Sequence, residues 1–427
     1  MIDLLTNFLK SKGFKDVLVV FTGRSVSAVF GFLPSVIVAR ELGPKGFGVF
    51  SLSVVVMMLI AELSGGSINQ AVVKFSSSYF QKDKEKAKLT FKIGFKIEIM
   101  IGLILLILGF FLREPLSHLV FKETKLEKLI TLVFIGSVGI IFMRYVLAVF
   151  QSLQTFAKHV LVEIINNFVK LVIIGFLYVI HILNILNAVA VYVAVPYLSC
   201  LFGLIFIPKS FFYAEPTQKT IVYEVLHFSK WIMLSSVIIA IYSRLDILLL
   251  NQFRGSQVVG VYSAAHILAS SLELFAIALL TVVFPKVSRF SERGEYVSFY
   301  KRYLIVLVPL GFLICVFFWF TAKPLILTFY TYEFIDSISI LKLLAIGSVF
   351  FLIALPLCSI ILSLNKPQIL LCIDLLILIV MLVGNLLLIP LYGAIGSGIA
   401  VLISKLLFMI LIIVTINKEV EKIPVQM

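Results

Sequence analysis

Apolar stretches of about 20 residues, the length that crosses the hydrocarbon core of a bilayer, recur from one end of this chain to the other. The segments 17–40, 46–73, 91–112, 128–150, 159–180, 186–208, 222–253, 257–285, 299–321, 336–363, 367–390 and 393–416 all fit that length, which makes twelve expected spans. Of the 427 residues, 61% are hydrophobic, and the mean hydropathy is +1.14. No water-soluble class has that balance. A membrane β-barrel would show short segments of alternating hydropathy, and none is visible. The expected fold is therefore an all-α integral membrane bundle. The second and eighth spans are long enough to tilt or to project into the cytoplasm. The stretch TAKPLILTFYTYEF (321–334) is apolar enough to graze the membrane.

Orientation follows from the lysines and arginines of the connections. With the N-terminus inside, the inner connections hold 21 of the 36 basic residues and the outer ones hold 8. Both termini are thus expected in the cytoplasm, with the inner basic loops facing anionic lipid headgroups. The first residues, MIDLLTNFLKSKGFKD, lack the pattern of a signal peptide. They read as a solvated tail or as a short interfacial helix, with Leu4, Leu5, Phe8 and Leu9 opposite Lys10, Lys12 and Lys15. Cys200, Cys315, Cys358 and Cys372 all sit in apolar segments without metal-ligand spacing, so they read as packing residues.

One half of the chain echoes the other. Gly43, Gly48, Val49, Phe50 and Ser51 recur as Gly255, Gly260, Val261, Tyr262 and Ser263, an offset of 212 residues, and Lys74 and Ser76 recur as Lys286 and Ser288. At an offset of 211, Ser152, Leu153 and Glu163 map onto Ser363, Leu364 and Asp374. A membrane chain doubled in this way reads as a transporter with its path between two lobes. The expected lobes are 1–208 and 222–427, six spans each, joined by the cytoplasmic linker 209–221.

Seven cations fall within or at the edge of spans: Arg24, Lys74, Arg144, Lys170, Arg244, Lys342 and Lys405. A charge at mid-bilayer costs about 3 kcal/mol on insertion scales. Lys74 and Lys342 are near helix ends and can snorkel, and Arg144 is positioned to do the same. Arg24, Lys170, Arg244 and Lys405 lie deeper and need water or an anionic partner. Helical spacing groups polar residues into stripes. Arg24 shares a face with Ala28, Gly31 and Ser35. Glu163, Asn166, Asn167 and Lys170 share another, as do Glu62, Gly65, Gly66 and Asn69. On the eighth span Tyr262, His266, Ser270 and Glu273 align, and on the eleventh Asp374 aligns with Asn385. Arg244 and Asp246, two residues apart, point to different sides, so each is expected to find its partner elsewhere.

Polar stripes also hold helices together. Yet a wet cavity rich in Arg and Lys suits an anion, and the planar fork of Arg suits phosphate. Apolar walls suit a lipid tail. Together they point to an amphiphile with an anionic head. Buried carboxylates could carry coupling protons or sodium ions. Asp246, Glu163, Asp374 and Glu273 are the candidates, with Arg244, His266 and Lys405 around them. No GxxxxGK[ST], HExxH or GxSxG pattern is present, and nothing points to ATP hydrolysis.

Four stretches carry a family resemblance. ARELGPKGFGVFS (39–51), FQSLQTFAK (150–158), RLDILLLNQFRGSQVVGVYSAAHIL (244–268) and GNLLLIPLYGAIGSGIAVLIS (384–404) resemble segments of polysaccharide-biosynthesis flippases. These are the oligosaccharide flippases of the multidrug/oligosaccharidyl-lipid/polysaccharide exporter superfamily. The resemblance implies two pseudo-symmetric six-helix lobes in a V around a central cavity. It implies alternating access and movement of an undecaprenyl-diphosphate-linked oligosaccharide from the inner to the outer leaflet of the cell membrane. It implies cations of the N-terminal lobe on the diphosphate: Arg24 by position, Arg144 and Lys170 by lobe and type. Partners would be the lipid-linked oligosaccharide, membrane lipids, and the polymerase and glycosyltransferases of the pathway, with no nucleic acid and no resident cofactor or metal. The coupling ion, sodium or proton, stays open. The sequence departs from the family at FYTYEF (329–334), where a Gly often precedes the acidic or aromatic residues. A cation-coupled multidrug antiporter of the same fold is the nearest alternative, and an integral-membrane polysaccharide polymerase is a third.

Overall fold

The computed structural model describes residues 12–80, 83–121, 126–208, 223, 236–288, 290, 292–364 and 366–422. Residues 1–11, most of the stretch read as a solvated tail or a short interfacial helix, and the linker 209–221 lie outside the described residues.

No strand occurs among the described residues. Lipid offers backbone groups no hydrogen bonds, so each crossing must satisfy its own, which helices do. In chain order the helices are α1 (Lys12–Phe80), α2 (Lys84–Phe111), α3 (Arg113–Phe121), α4 (Glu127–Ser152), α5 (Phe156–Val179), α6 (Ile185–Ile205), α7 (Leu245–Arg254), α8 (Ser256–Val287), α9 (Arg293–Phe329), α10 (Ser337–Ser363) and α11 (Pro367–Glu421). Ten helical stretches are long and apolar enough to cross a membrane. Two of them are double. α1 breaks at Gly43 and α11 at Gly393, and each half is long enough to cross by itself. Among the described residues this count is consistent with the twelve expected crossings. The connection 113–127 contributes the extra short helix α3, with Arg113 over the Phe110 ring at 5.0 Å.

The internal repeat reaches the backbone. Gly43 has φ 62° and ψ −178°, and Gly255 has φ 81° and ψ 176°. Only a residue without Cβ adopts that conformation at little cost, and Pro44 after Gly43 bars the helix from running straight through. The other end of each half shows the same correspondence. His181 (φ 57°) and Gly393 (φ 59°) are both left-handed, and the interval from 181 to 393 is again 212 residues.

The chain divides into two compact units. The first is Met1–Leu42 with Val49–Ile241, and the second is Gly43–Gly48 with Tyr242–Met427. The core of the first unit gathers Ile68 and Val72 of α1, Phe91 of α2, Tyr145, Val146 and Phe150 of α4, Val162 of α5 and Cys200 of α6. The core of the second gathers Val283 of α8, Tyr296 of α9, Leu357 and Ile361 of α10, and Ile377 and Ile412 of α11. Cys200 and Cys358 are buried, Cys372 is exposed, and all four thiols are free.

Within the second unit the repeat meets itself. A Cβ on Gly48 would overlap the backbone of Ser256 and Gly260, and a Cβ on Gly260 would overlap the backbone of Pro44 and Gly48. Two repeat-equivalent glycines therefore cross at the closest approach that backbones allow, the contact that small residues permit in membranes. Phe47, fully buried, packs beside them against Tyr330 (ring centroids 6.4 Å apart) and Phe334 (6.0 Å). This packing accounts for the apolar stretch 321–334. Its aromatic residues Tyr330 and Phe334 are 1% and 0% exposed, whereas Tyr332 between them is 73% exposed.

The seventh crossing departs from expectation. Its helix turns out of register at Ser243–Arg244 before α7 begins at Leu245. A break inside a crossing leaves backbone groups that need polar surroundings. Arg244 and Asp246 sit at that break.

Candidate functional site

In the first unit, two of the expected stripes meet. Arg24 and Ser27 of α1 are one turn apart, as are Glu163, Asn167 and Lys170 of α5. Arg24 Nε lies 3.5 Å from Glu163 Oε2. Ser27 Oγ donates to the Glu163 carbonyl at 3.0 Å, and Asn167 Nδ2 donates to Ser27 O and Oγ at 3.0 and 2.9 Å. Asn166 Nδ2 donates to Asn167 Oδ1 at 3.3 Å, and Ser199 Oγ of α6 donates to Asn166 Oδ1 at 3.3 Å. Gly31 keeps the seam closed, since a Cβ there would meet Asn167 Nδ2 at 3.3 Å. Lys170, 8% exposed, holds its ammonium 4.9 Å from the centroid of the Tyr192 ring, a cation–π contact in place of a counter-ion.

His159 belongs to this seam although the sequence reading passed over it. It is buried, its Nδ1 lies 3.0 Å from the Leu147 carbonyl, and its Nε2 lies 3.5 Å from Glu163 Oε1. The usable signal was its spacing of four residues from Glu163 on one helix. Arg24 keeps 45% of its side chain exposed. Its distance to Glu163 exceeds the 2.7–2.9 Å typical of charge-assisted hydrogen bonds. The guanidinium is oriented by Glu163 rather than consumed by it.

Arg144 goes elsewhere. It pairs with Glu62 of α1, from the stripe that also carries Gly65, Gly66 and Asn69. That ion pair sets it apart from the Arg24–Lys170 seam, so the three cations grouped by type occupy two places in the unit.

In the second unit the structure gathers most of the remaining candidates around α8. Asp246, 3% exposed, accepts from Tyr262 Oη at 2.6 Å and from the Ile247 amide at 2.8 Å. It stands in the first turn of α7, where the helix dipole favours an anion. His266 stacks on Tyr262 with centroids 6.1 Å apart and lies in electrostatic reach of Asp246, Glu273, Arg244 and Lys405. Lys405 of α11 pairs with Glu273 at 2.5 Å, and Ser348 of α10 bonds to both, at 3.3 Å from Glu273 and 3.4 Å from Lys405. Asp374 is in reach of Tyr242 and Cys358. Asn385, three turns along α11 from Asp374, accepts from Ser397 Oγ at 2.8 Å across the α11 break. Arg254 closes the same break from α7, donating to the carbonyls of Ile389 and Pro390, which a helix end otherwise leaves unpaired. Lys342 lies 4.4 Å over the Trp319 ring.

The Lys405–Glu273 pair tests directly as a structural lock. Glu273→Gln alone is expected to destabilise the protein by about 1.5–3 kcal/mol, because it takes the charged partner from the part-buried Lys405 ammonium. Glu273→Leu combined with Lys405→Met is expected to restore most of that loss. Thermal unfolding in detergent reads both, and equal losses for the single and double variants would contradict it.

Two surface grooves of the second unit, one between α9 and α11 and one between α8 and α9, contain none of these polar residues. Among the described residues no cluster of His, Cys, Asp and Glu has metal-binding geometry.

An all-helical, multi-pass membrane protein whose two halves repeat in sequence and backbone is the class so defined. The chain belongs to the polysaccharide biosynthesis protein family, whose model matches residues 14–291. No curated protein matches the sequence. Among solved structures, the chain is similar to the lipid II flippase MurJ in an inward closed conformation. The TM-score is 0.77 at 17% identity, covering 95% of this chain and 90% of that one. It is similar to an inward-facing multidrug resistance MATE family transporter of the MOP superfamily, with a TM-score of 0.74 at 14% identity, covering 95% and 98%. It also matches a MOP superfamily transporter from Pyrococcus furiosus described as having a binding pocket of reverse polarity. There the TM-score is 0.67 at 15% identity, covering 97% and 98%. The fold is the one these proteins share.

Proposed function

We propose that this protein is a flippase. It moves an undecaprenyl-diphosphate-linked oligosaccharide, the repeat unit of a surface polysaccharide, from the inner to the outer leaflet of the cell membrane by alternating access. Both termini would face the cytoplasm, where the pathway's glycosyltransferases supply the cargo; its polymerase would receive it outside. Membership of the polysaccharide biosynthesis family supports the cargo class. The observation that carries the reading is the half-exposed Arg24 guanidinium at one end of the α1–α5 seam, with buried Lys170 at the other. Glu163 stands 3.5 Å from one edge of the guanidinium without a hydrogen bond to it, and a diphosphate matches the guanidinium fork. A secondary transporter needs no catalytic residue for this work, and no chemical step is assigned to any.

The deciding experiment is transfer of a fluorescent undecaprenyl-diphosphate oligosaccharide in proteoliposomes. Protein-dependent transfer is the expected result. Failure with intact protein, alongside cation-driven efflux of a dye, would favour a multidrug antiporter instead.

Asp246 supplies a second test. Its carboxyl holds Tyr262 at the break in the seventh crossing. Asp246→Asn is expected to change how transfer responds to proton or sodium gradients, and an unchanged response would make Asp246 a purely structural cap.

A further inference from the structure

Glu98 has been outside every group described so far. It lies near the middle of α2, about eight residues into the crossing, or roughly 10 Å at 1.5 Å per residue. It is 0% exposed, and neither carboxyl oxygen has a hydrogen-bond partner. Its walls are the backbone face of Gly65, where a Cβ would sit 3.1 Å from Glu98 Oε2, and Ile141 of α4. Tyr145 of α4 is in electrostatic reach of the carboxyl. The Tyr145 hydroxyl is already committed to the Phe91 carbonyl. On the helices packed around Glu98, Glu62 and Arg144 are bound to each other. Lys74 on α1 and Lys96 on α2 are exposed. One turn from Gly65, Asn69 of α1 also carries a buried oxygen, Oδ1, without a partner.

An ionised carboxylate cannot persist in such a place, because neither water nor a counter-charge offsets its desolvation. We propose that Glu98 is a proton-binding site of the first unit, neutral in this conformation and able to release its proton only when α1, α2 and α4 repack and admit water. Asn69 Oδ1 is the nearby acceptor that the neutral carboxyl could use after a small shift. The site would then supply the ion that drives transfer, a role that rests on the flippase reading. The proton site itself does not.

The test is infrared spectroscopy of the full-length protein in lipid nanodiscs, comparing wild type with Glu98→Gln. The glutamine keeps the shape and mimics the neutral acid, so the variant is expected to fold with unchanged thermal stability. Wild type should show the carbonyl stretch of a neutral carboxylic acid at neutral pH, shifted by deuterium exchange and missing in the variant. Absence of that band from wild type overturns the proposal, and so does its loss on adding sodium chloride at constant pH, which would mark a sodium site. In proteoliposomes an imposed pH gradient should speed wild-type transfer several-fold and leave Glu98→Gln unaffected. Equal gradient sensitivity in both would remove the coupling role while the band kept the proton site. A band without lipid transfer in either protein would count against the flippase reading alone.

Discussion

Arg24→Ala is expected to slow transfer of a diphosphate-linked lipid oligosaccharide by about 10- to 150-fold, the factor set by losing a charged hydrogen bond worth ~1.5–3 kcal/mol. The protein should still insert and fold, because Arg24 is half exposed and its ion pair with Glu163 is long. Removing it leaves Glu163 with His159 Nε2 at 3.5 Å as its neighbour on α5. Arg24→Lys should recover part of the activity, since an ammonium keeps the charge but not the fork. Glu163→Gln should act in the opposite direction on binding, by removing the carboxylate that competes with phosphate for the guanidinium. Proteoliposome transfer measured across the series would separate charge from geometry. Normal transfer by Arg24→Ala would take Arg24 out of the head-group site.

Gly48→Ala and Gly260→Ala are each expected to cost about 3 kcal/mol or more of stability, at or beyond the upper end for overpacked positions. The added methyl would meet backbone, which cannot rotate away as a side chain can. Gly175→Ala is the matched control, since nothing lies within 4 Å of its Cβ position. Yields of monodisperse protein and unfolding temperatures in detergent would show the difference. Equal behaviour of Gly48→Ala and Gly175→Ala would mean that the crossing is looser than the structure has it.

The crossings were legible because lipid imposes one length and one backbone solution on each. The repeat was legible at Gly43 and Gly255 because their conformation restricts the residue type. At the other end it was hidden, because His181 stands where the second half has Gly393. Helical spacing put Arg24 and Glu163 on polar stripes, which the structure brings together. It could not tell that Arg144 would choose Glu62, since that pairing depends on which helices pack together. Glu98 went unremarked because a search for cations in apolar segments passes over a single acid. The break at Ser243–Arg244 carries no Pro or Gly, the usual signs of a kink. The burial of Tyr330 and Phe334 was not legible because residues packed against Phe47 have the same composition as residues lying in lipid.

The close approach of Gly48 and Gly260 has a consequence for how the chain is made. At 5–20 residues per second, the ribosome would need roughly 10 to 40 s to synthesise the stretch from one glycine to the other. Through that interval Gly43–Gly48 has left the exit tunnel without the segment it finally packs against. The first pair of crossings is therefore inserted as an unfinished hairpin whose tip stays open until the eighth crossing arrives. Chains released early, after residue 241 for instance, would display that open tip, and with it the buried surface of Phe47, to the quality-control machinery of the membrane.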